Sequence, residues 1–188
     1  MASSHVDAPG RRLPRAQRRE QILATATEVF ARTGFAATGL DEVAAAAGIS
    51  RAILYRHFDS KTDLYRAVLD RARQYLSDAV GEPAYSEQII DDLVAAAAKD
   101  PAGFRLLFHH AGREPQFRAD TDLFGAEMVA LAYDHLAAVI PDPGWARWAA
   151  HLAPTATATE TIIDGSDTEA TLAAIRMRLG QPPSAENQ

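Results

Sequence analysis

Between Leu40 and Phe58 the chain reads LDEVAAAAGISRAILYRHF, two short runs of helically spaced apolar residues divided by one glycine. That glycine restricts the fold more than any other position. Gly48 can take the left-handed backbone that stops one helix and turns the chain into the next, a conformation costly to a residue with a Cβ. Ala44 puts only a methyl group where two helices cross closely, and Val43, Ile49 and Leu54 supply the apolar contact that fixes the crossing. Ser50 is placed to cap the second run, because its hydroxyl accepts from first-turn amides. The spacing predicts a helix-turn-helix unit in which Leu54 and Phe58 belong to the core.

Helical periodicity extends to both sides. From Pro14 onward Ile22, Ala26, Val29 and Phe30 recur at three- and four-residue intervals, and Gly34 is the expected stop. Thr38 with Asp41 resembles a capping box and is expected to open the second helix; Ser60 with Asp63 repeats the pattern for a fourth. Further helices are expected at roughly 86–98, 101–111, 121–140, 144–163 and 167–179, with no alternating strand and no Asn-Gly hairpin. The expected fold is therefore all-α, with about nine helices. Its divisions are a flexible basic arm over 1–13, a three-helix helix-turn-helix domain over 14–60, a connecting helix over 61–81, a second helical domain over 82–180 and a disordered tail over 181–188. Gly81-Glu82-Pro83 marks the boundary through a C-cap glycine, a helix breaker and a shift towards acidic composition. Pro154 is expected to kink or split its helix.

The net charge of −6 speaks against a polyanionic partner until its distribution is considered. Residues 1–66 carry ten Lys/Arg against seven Asp/Glu, and the remainder nine against eighteen. Arg11, Arg12, Arg15, Arg18 and Arg19 fall within nine residues, a density suited to phosphates and equally to a solvated helix start. The absence of cysteine excludes disulfides, thiolate metal sites and a cysteine nucleophile. No signal peptide and no apolar run long enough for a bilayer is visible, so the expected setting is cytoplasmic, with no membrane partner.

The core GISRAILYRHFDSKTDL, within Thr38–Leu64, resembles the signature of the tetracycline-repressor (TetR) family, and the likeness extends over roughly residues 14–70. The resemblance implies an all-α homodimer, paired here through the last two helices, that binds double-stranded DNA at a palindromic operator. It also implies release when an unidentified small-molecule effector enters the second domain. Repression is the expected outcome, with an activator or a corepressor-type response as alternatives. In a helix-turn-helix the N-terminal part of the second helix enters the major groove, which places Ser50, Arg51, Ala52, Ile53, Tyr55 and Arg56 at the DNA. Arg51 is the base-reading candidate, since a guanidinium bonds bidentately to guanine O6 and N7, while Ala52 and Ile53 suit thymine methyls. Similar sequences often carry Thr or Ser at the position of Ile53, so the apolar residue alters that contact. Thr38, Ser50, Tyr55, His57 and Lys61 resemble the family's phosphate-contacting set, which fixes register without encoding sequence. For His57, capping the end of the third helix is an equal alternative. Arg11, Arg12 and Arg15 suit the minor groove or the backbone.

In the second domain Phe104, Leu107, Phe108, Phe117, Phe124 and Met128 form a core, a cavity or both, with His110, Tyr133, Trp148 and His151 as further pocket candidates. No cofactor, metal or catalytic residue is expected, because the spacing contains no Gly-rich phosphate loop, no Gly-x-Ser-x-Gly elbow and no metal motif. A small-molecule-converting helical enzyme and an interaction module without sequence specificity are the readings from other classes.

Overall fold

In a computed structural model the chain is described over residues 13–80, 89–137, 141–144, 146, 147 and 150. Helix α1, Arg15–Ala37, follows Pro14 and buries Ile22, Leu23, Ala26, Val29, Phe30 and Ala31 along one face. It is broken at Gly34, whose φ of +76° leaves Phe35–Ala37 as one further turn beyond the expected stop.

The break corrects the reading of Thr38. A helix interruption strands carbonyl groups, and the Thr38 hydroxyl donates to that of Gly34 at 2.7 Å while sharing a hydrogen bond with Thr33 Oγ1 at 2.6 Å. Thr38 is consequently turned inward and buried, and Gly39 rather than Thr38 stands at the N-cap of α2, Leu40–Ala46.

The turn follows from Gly48. With φ at +63°, its N–H donates to Ala45 C=O at 3.1 Å and the Ile49 N–H to Ala44 C=O at 3.0 Å. This paired pattern closes helix ends on a left-handed glycine. Val43, Ala44 and Leu54 are buried and Ile49 packs against them as part of the core. Ser50 Oγ accepts from the Ile53 N–H at 3.3 Å to open α3, Arg51–Tyr55. The regular helix is shorter than expected. Its end tightens, with His57 N–H as well as Phe58 N–H donating to Leu54 C=O, and Phe58 still reaches the core. Helix α4, Lys61–Val80, starts as Ser60 predicts, its hydroxyl accepting from Asp63 N–H at 3.0 Å. The Asp63 carboxylate reaches back to the Asp59 N–H rather than to that of Ser60.

Helix α5, Ile89–Lys99, leads into Asp100, whose carboxylate caps α6, Pro101–Arg105. The single helix expected over 101–111 is divided. After α6 the backbone widens into a π turn at Leu106–His110, with the Ala111 N–H donating to Leu106 C=O five residues back. Two 3-10 turns, Ala111–Arg113 and Pro115–Phe117, precede α7, Arg118–Ala137. The widened turn lets Leu106, Leu107 and Ala111 all enter the core, which a regular helix spreads over more than one face.

One core runs through both halves of the chain. Phe30 of α1, Leu54 of α3, Leu64, Tyr65 and Val68 of α4, Leu106 and Leu107 of the π turn and Phe117 are buried together. A smaller cluster joins Leu76, Ala96, Ala97 and Phe104. Among the described residues the fold is all-helical, without a strand. The expected boundary at 81–83, all of the arm expected over 1–13 except Leu13, the tail and Pro154 lie outside the described residues, as does most of the two helices expected at 144–163 and 167–179.

Candidate nucleic-acid interface

Capping by Ser50 and burial of Leu54 orient α3 so that Arg51, Ala52, Tyr55 and Arg56 share its exposed side, with Ile53 half-buried at the edge. Tyr55 leaves 43% of its surface exposed on this side. Arg51 is not loose. Its Nη1 donates to Asp41 Oδ2 at 3.0 Å and its Nη2 to the Tyr55 hydroxyl at 3.2 Å, and both interactions raise the guanidinium's affinity for its proton, Tyr55 foremost.

His57 lies beside this face. Its proton affinity is lowered first by burial and then by the positive charges of Arg15, Arg56, Arg19 and Arg18. Four arginines from the start of α1 and the end of α3 thus bear on one ring. Arg18 and Arg19 are the members that sequence reasoning passed over as individual site residues. Their signal was the spacing 15, 18, 19, which puts them on one side of a helix. Arg18 donates to Gln21 Oε1 at 2.7 Å, Gln21 in turn donates to Ala47 C=O at 3.3 Å, and the Arg19 guanidinium lies 4.9 Å from the Phe58 ring. These contacts tie the arginine-bearing end of α1 to the helix-turn-helix.

The other expected phosphate contacts are placed differently. Lys61 donates to Ala36 C=O at 3.1 Å and sits 4.4 Å from the centre of the Phe35 ring, so its ammonium already satisfies the end of α1. Thr38 is buried, with its hydroxyl committed to Gly34. Arg15 is exposed, and Arg11 and Arg12 lie outside the described residues.

Among the expected pocket residues, Phe104, Leu107 and Phe117 are buried in the core clusters, while Phe108, Phe124 and Met128 are partly buried against them. His110 reaches the Ala31 carbonyl of α1, and burial lowers its proton affinity more than that bond raises it. Tyr133 lines an open apolar groove of about 470 Å³ on α7 with Gly125, Ala126, Val129, Ala130 and Arg147. Trp148 and His151 lie outside the described residues. No three His, Asp or Glu side chains among the described residues converge as metal ligands, and no described helix is long and apolar enough to cross a membrane.

Residues 22–68, spanning the buried face of α1, the turn and the start of α4, match the family model of bacterial regulatory proteins, tetR family. Over these residues the chain is similar to the TetR family. Among curated TetR-type relatives it is 39% identical over 119 residues to the HTH-type transcriptional activator FasR of Mycolicibacterium smegmatis, covering 58% of this chain and 54% of that one. It is 40% identical over 58 residues to the HTH-type transcriptional repressor BepR of Brucella suis, covering 31% and 28%. The chain therefore spans about half the length of FasR and less of BepR. A TetR-like transcriptional regulator from Rhodococcus sp. RHA1 superposes with a TM-score of 0.78 at 23% identity, over 90% of this chain and 100% of the other. AibR, solved with isovaleryl coenzyme A and operator DNA, superposes at 0.68 with 18% identity, over 88% and 100%. These likenesses establish the shared fold: an N-terminal helix-turn-helix with a helical C-terminal part.

Proposed function

We propose that this chain is a TetR-family, sequence-specific DNA-binding transcriptional regulator, a repressor that leaves a palindromic operator when a small molecule binds its C-terminal half. The observation that carries the reading is the exposed face of α3, where Arg51, Ala52, Tyr55 and Arg56 stand together beside the arginines of α1. A guanidinium reads guanine through the major groove, and the flanking cations meet phosphates. The relatives named as regulators support binding rather than catalysis as the activity.

Arg51, Ala52 and Ile53 are the residues assigned to bases, with Ser50, Tyr55, Arg56, His57, Lys61 and Arg15 assigned to the backbone. Contact of Lys61 with phosphate requires that it exchange the Ala36 carbonyl. Two copies, paired through the C-terminal segment, present two reading helices about 34–36 Å apart for successive major grooves. Effector binding acts by favouring a dimer with another spacing. The joint between halves supports that coupling: Arg71 of α4 bridges Glu20 of α1 at 2.6 Å and Asp100, the cap of α6, at 3.6 Å. Arg66 and Arg73, also on α4, engage Asp120 at the start of α7. A shift of α6 or α7 is thereby transmitted to α1 and α4.

Activation is a second reading, favoured by the FasR relative, which is named an activator. A reporter placed behind the selected operator separates the two: repression lowers its output when the protein is present, activation raises it. The DNA-binding proposal itself is tested by the ratio of affinities for selected and scrambled duplexes at one salt concentration. A ratio of about a thousand or more is expected of a specific regulator, and a ratio near one contradicts it.

A further inference from the structure

The Arg51–Asp41 pair joins two helices of the motif across the Gly48 turn, its members ten positions apart. It is a wet pair, the side chains being 55% and 73% exposed, and such pairs contribute little to the stability of a fold. Nor does α2 depend on Asp41 for its favourable N-terminal charge. Glu42 occupies the same first turn and is held 2.9 Å from Arg32 of α1. A carboxylate on a surface that meets DNA repels phosphates, so its presence beside the reading arginine calls for a role in recognition.

We propose that Asp41 is a specificity-determining residue, holding Arg51 in position and withholding it from DNA phosphates. The inference rests on the DNA-binding reading above. A guanidinium has five N–H donors. Asp41 takes one on Nη1 and Tyr55 one on Nη2, while the ring of Tyr55 lies 5.5 Å from the guanidinium carbon. Donors remain for the parallel pair of bonds to guanine O6 and N7. Guanine offers acceptors at that edge but carries no formal charge, so it is bonded with the Asp41 contact retained, and part of the loss of rotamer freedom has occurred before binding. A phosphate is an anion. To gain Arg51 it must either displace the Asp41 carboxylate or take the remaining donors beside that negative charge, and neither arrangement adds a net ionic attraction. Asp41 therefore makes Arg51 a poor ligand for the backbone and a prepared one for guanine. It is a positioning residue, acting on DNA through Arg51.

The test uses the full chain and its Asp41→Asn variant, which keeps the shape and removes the charge at an exposed site. Each is used to select from duplexes with a randomised core about two helical turns long. Each is then titrated against its selected duplex and against the random pool over a salt series. D41N is expected to bind the random pool about three- to ten-fold more tightly, with a salt slope steeper by about one unit for each half-site engaged, because Arg51 becomes available to phosphate. The motif selected by D41N is expected to lose information at one base pair of each half-site. In an R51A background the same substitution relieves only the carboxylate's own repulsion of phosphate, so a smaller gain in random-pool binding is expected than with Arg51 present. A specific-to-random ratio unchanged by D41N overturns the proposal, as does an equal gain in the R51A background. A wild-type chain that selects no motif removes the functional reading together with this one; a wild-type motif matched by an identical D41N motif removes the role of Asp41 alone.

Discussion

The rings of Phe35 and Phe117 meet edge-on, with centroids 5.0 Å apart and planes at 78°. Phe35 follows the Gly34 break in α1 and Phe117 precedes α7, so the contact ties the reading half to the C-terminal half. Tyr65 of α4 completes the cluster, 5.0 Å from Phe35 and 4.6 Å from Phe117. Phe117 is fully buried. Phe117→Ala is therefore expected to cost about 3–5 kcal/mol. Because the core is shared, the loss should lower the unfolding midpoint of the whole described chain, seen as a single displaced transition in thermal circular dichroism. A variant that leaves the transition in place contradicts a shared core.

Gly48 and Gly39 make a controlled comparison. An added Cβ meets nothing within 4 Å at either, but Gly48 has φ at +63° whereas Gly39 sits in ordinary extended backbone at −99°. Gly48→Ala should destabilise by about 1–2 kcal/mol through backbone conformation alone, and Gly39→Ala, which loses only the N-cap preference for glycine over alanine, by less. Denaturant midpoints at constant slope measure both. Equal effects would remove the left-handed turn as the reason for glycine.

Removing the Arg51 side chain should weaken selected-site binding by about ten- to a hundred-fold and abolish the preference at one base pair of each half-site. Random-pool affinity should change far less, since Asp41 already neutralises this arginine. Equal losses on both kinds of duplex would reassign Arg51 to the backbone.

His57 gives the interface a pH dependence of defined sign. In the free chain burial, followed by Arg15, Arg56, Arg19 and Arg18, lowers its proton affinity below the ordinary histidine value of 6.5. Phosphates that neutralise those arginines restore proton affinity, so binding takes up a proton and should tighten as pH falls through the window just below that value. Stability moves oppositely. The unfolded chain binds the extra proton first, so the stabilising effect of the neutral, half-buried ring is full above 6.5 and is lost as pH falls towards the depressed folded value. His110 adds to this loss, for burial lowers its proton affinity as well. Anisotropy titrations at several pH values should show the tightening in the wild type and its absence in His57→Gln.

Local chemistry made the helix-turn-helix legible from sequence. Gly48, Ser50, Leu54 and Phe58 each act within one or two turns of chain, and the backbone contacts they predict are those observed. Thr38 was misread because its partner is the carbonyl freed at Gly34, and the choice between capping forwards and bonding backwards depends on burial. The π turn at Leu106–His110 carries no local signal, since it arises from packing Leu106, Leu107 and Ala111 together against α1 and α4. The pairing of Asp41 with Arg51 likewise exists only once the two helices have crossed. Core and pocket aromatics share one sequence pattern, so Phe104, Leu107 and Phe117 were separable from wall residues only by their burial.

Capture of genomic fragments by the purified chain, followed by footprinting of the enriched site, tests sequence-specific regulation most directly. The account predicts a short palindromic footprint, two half-sites with centres about one helical turn apart. Fragments recovered no more often than random DNA would contradict it.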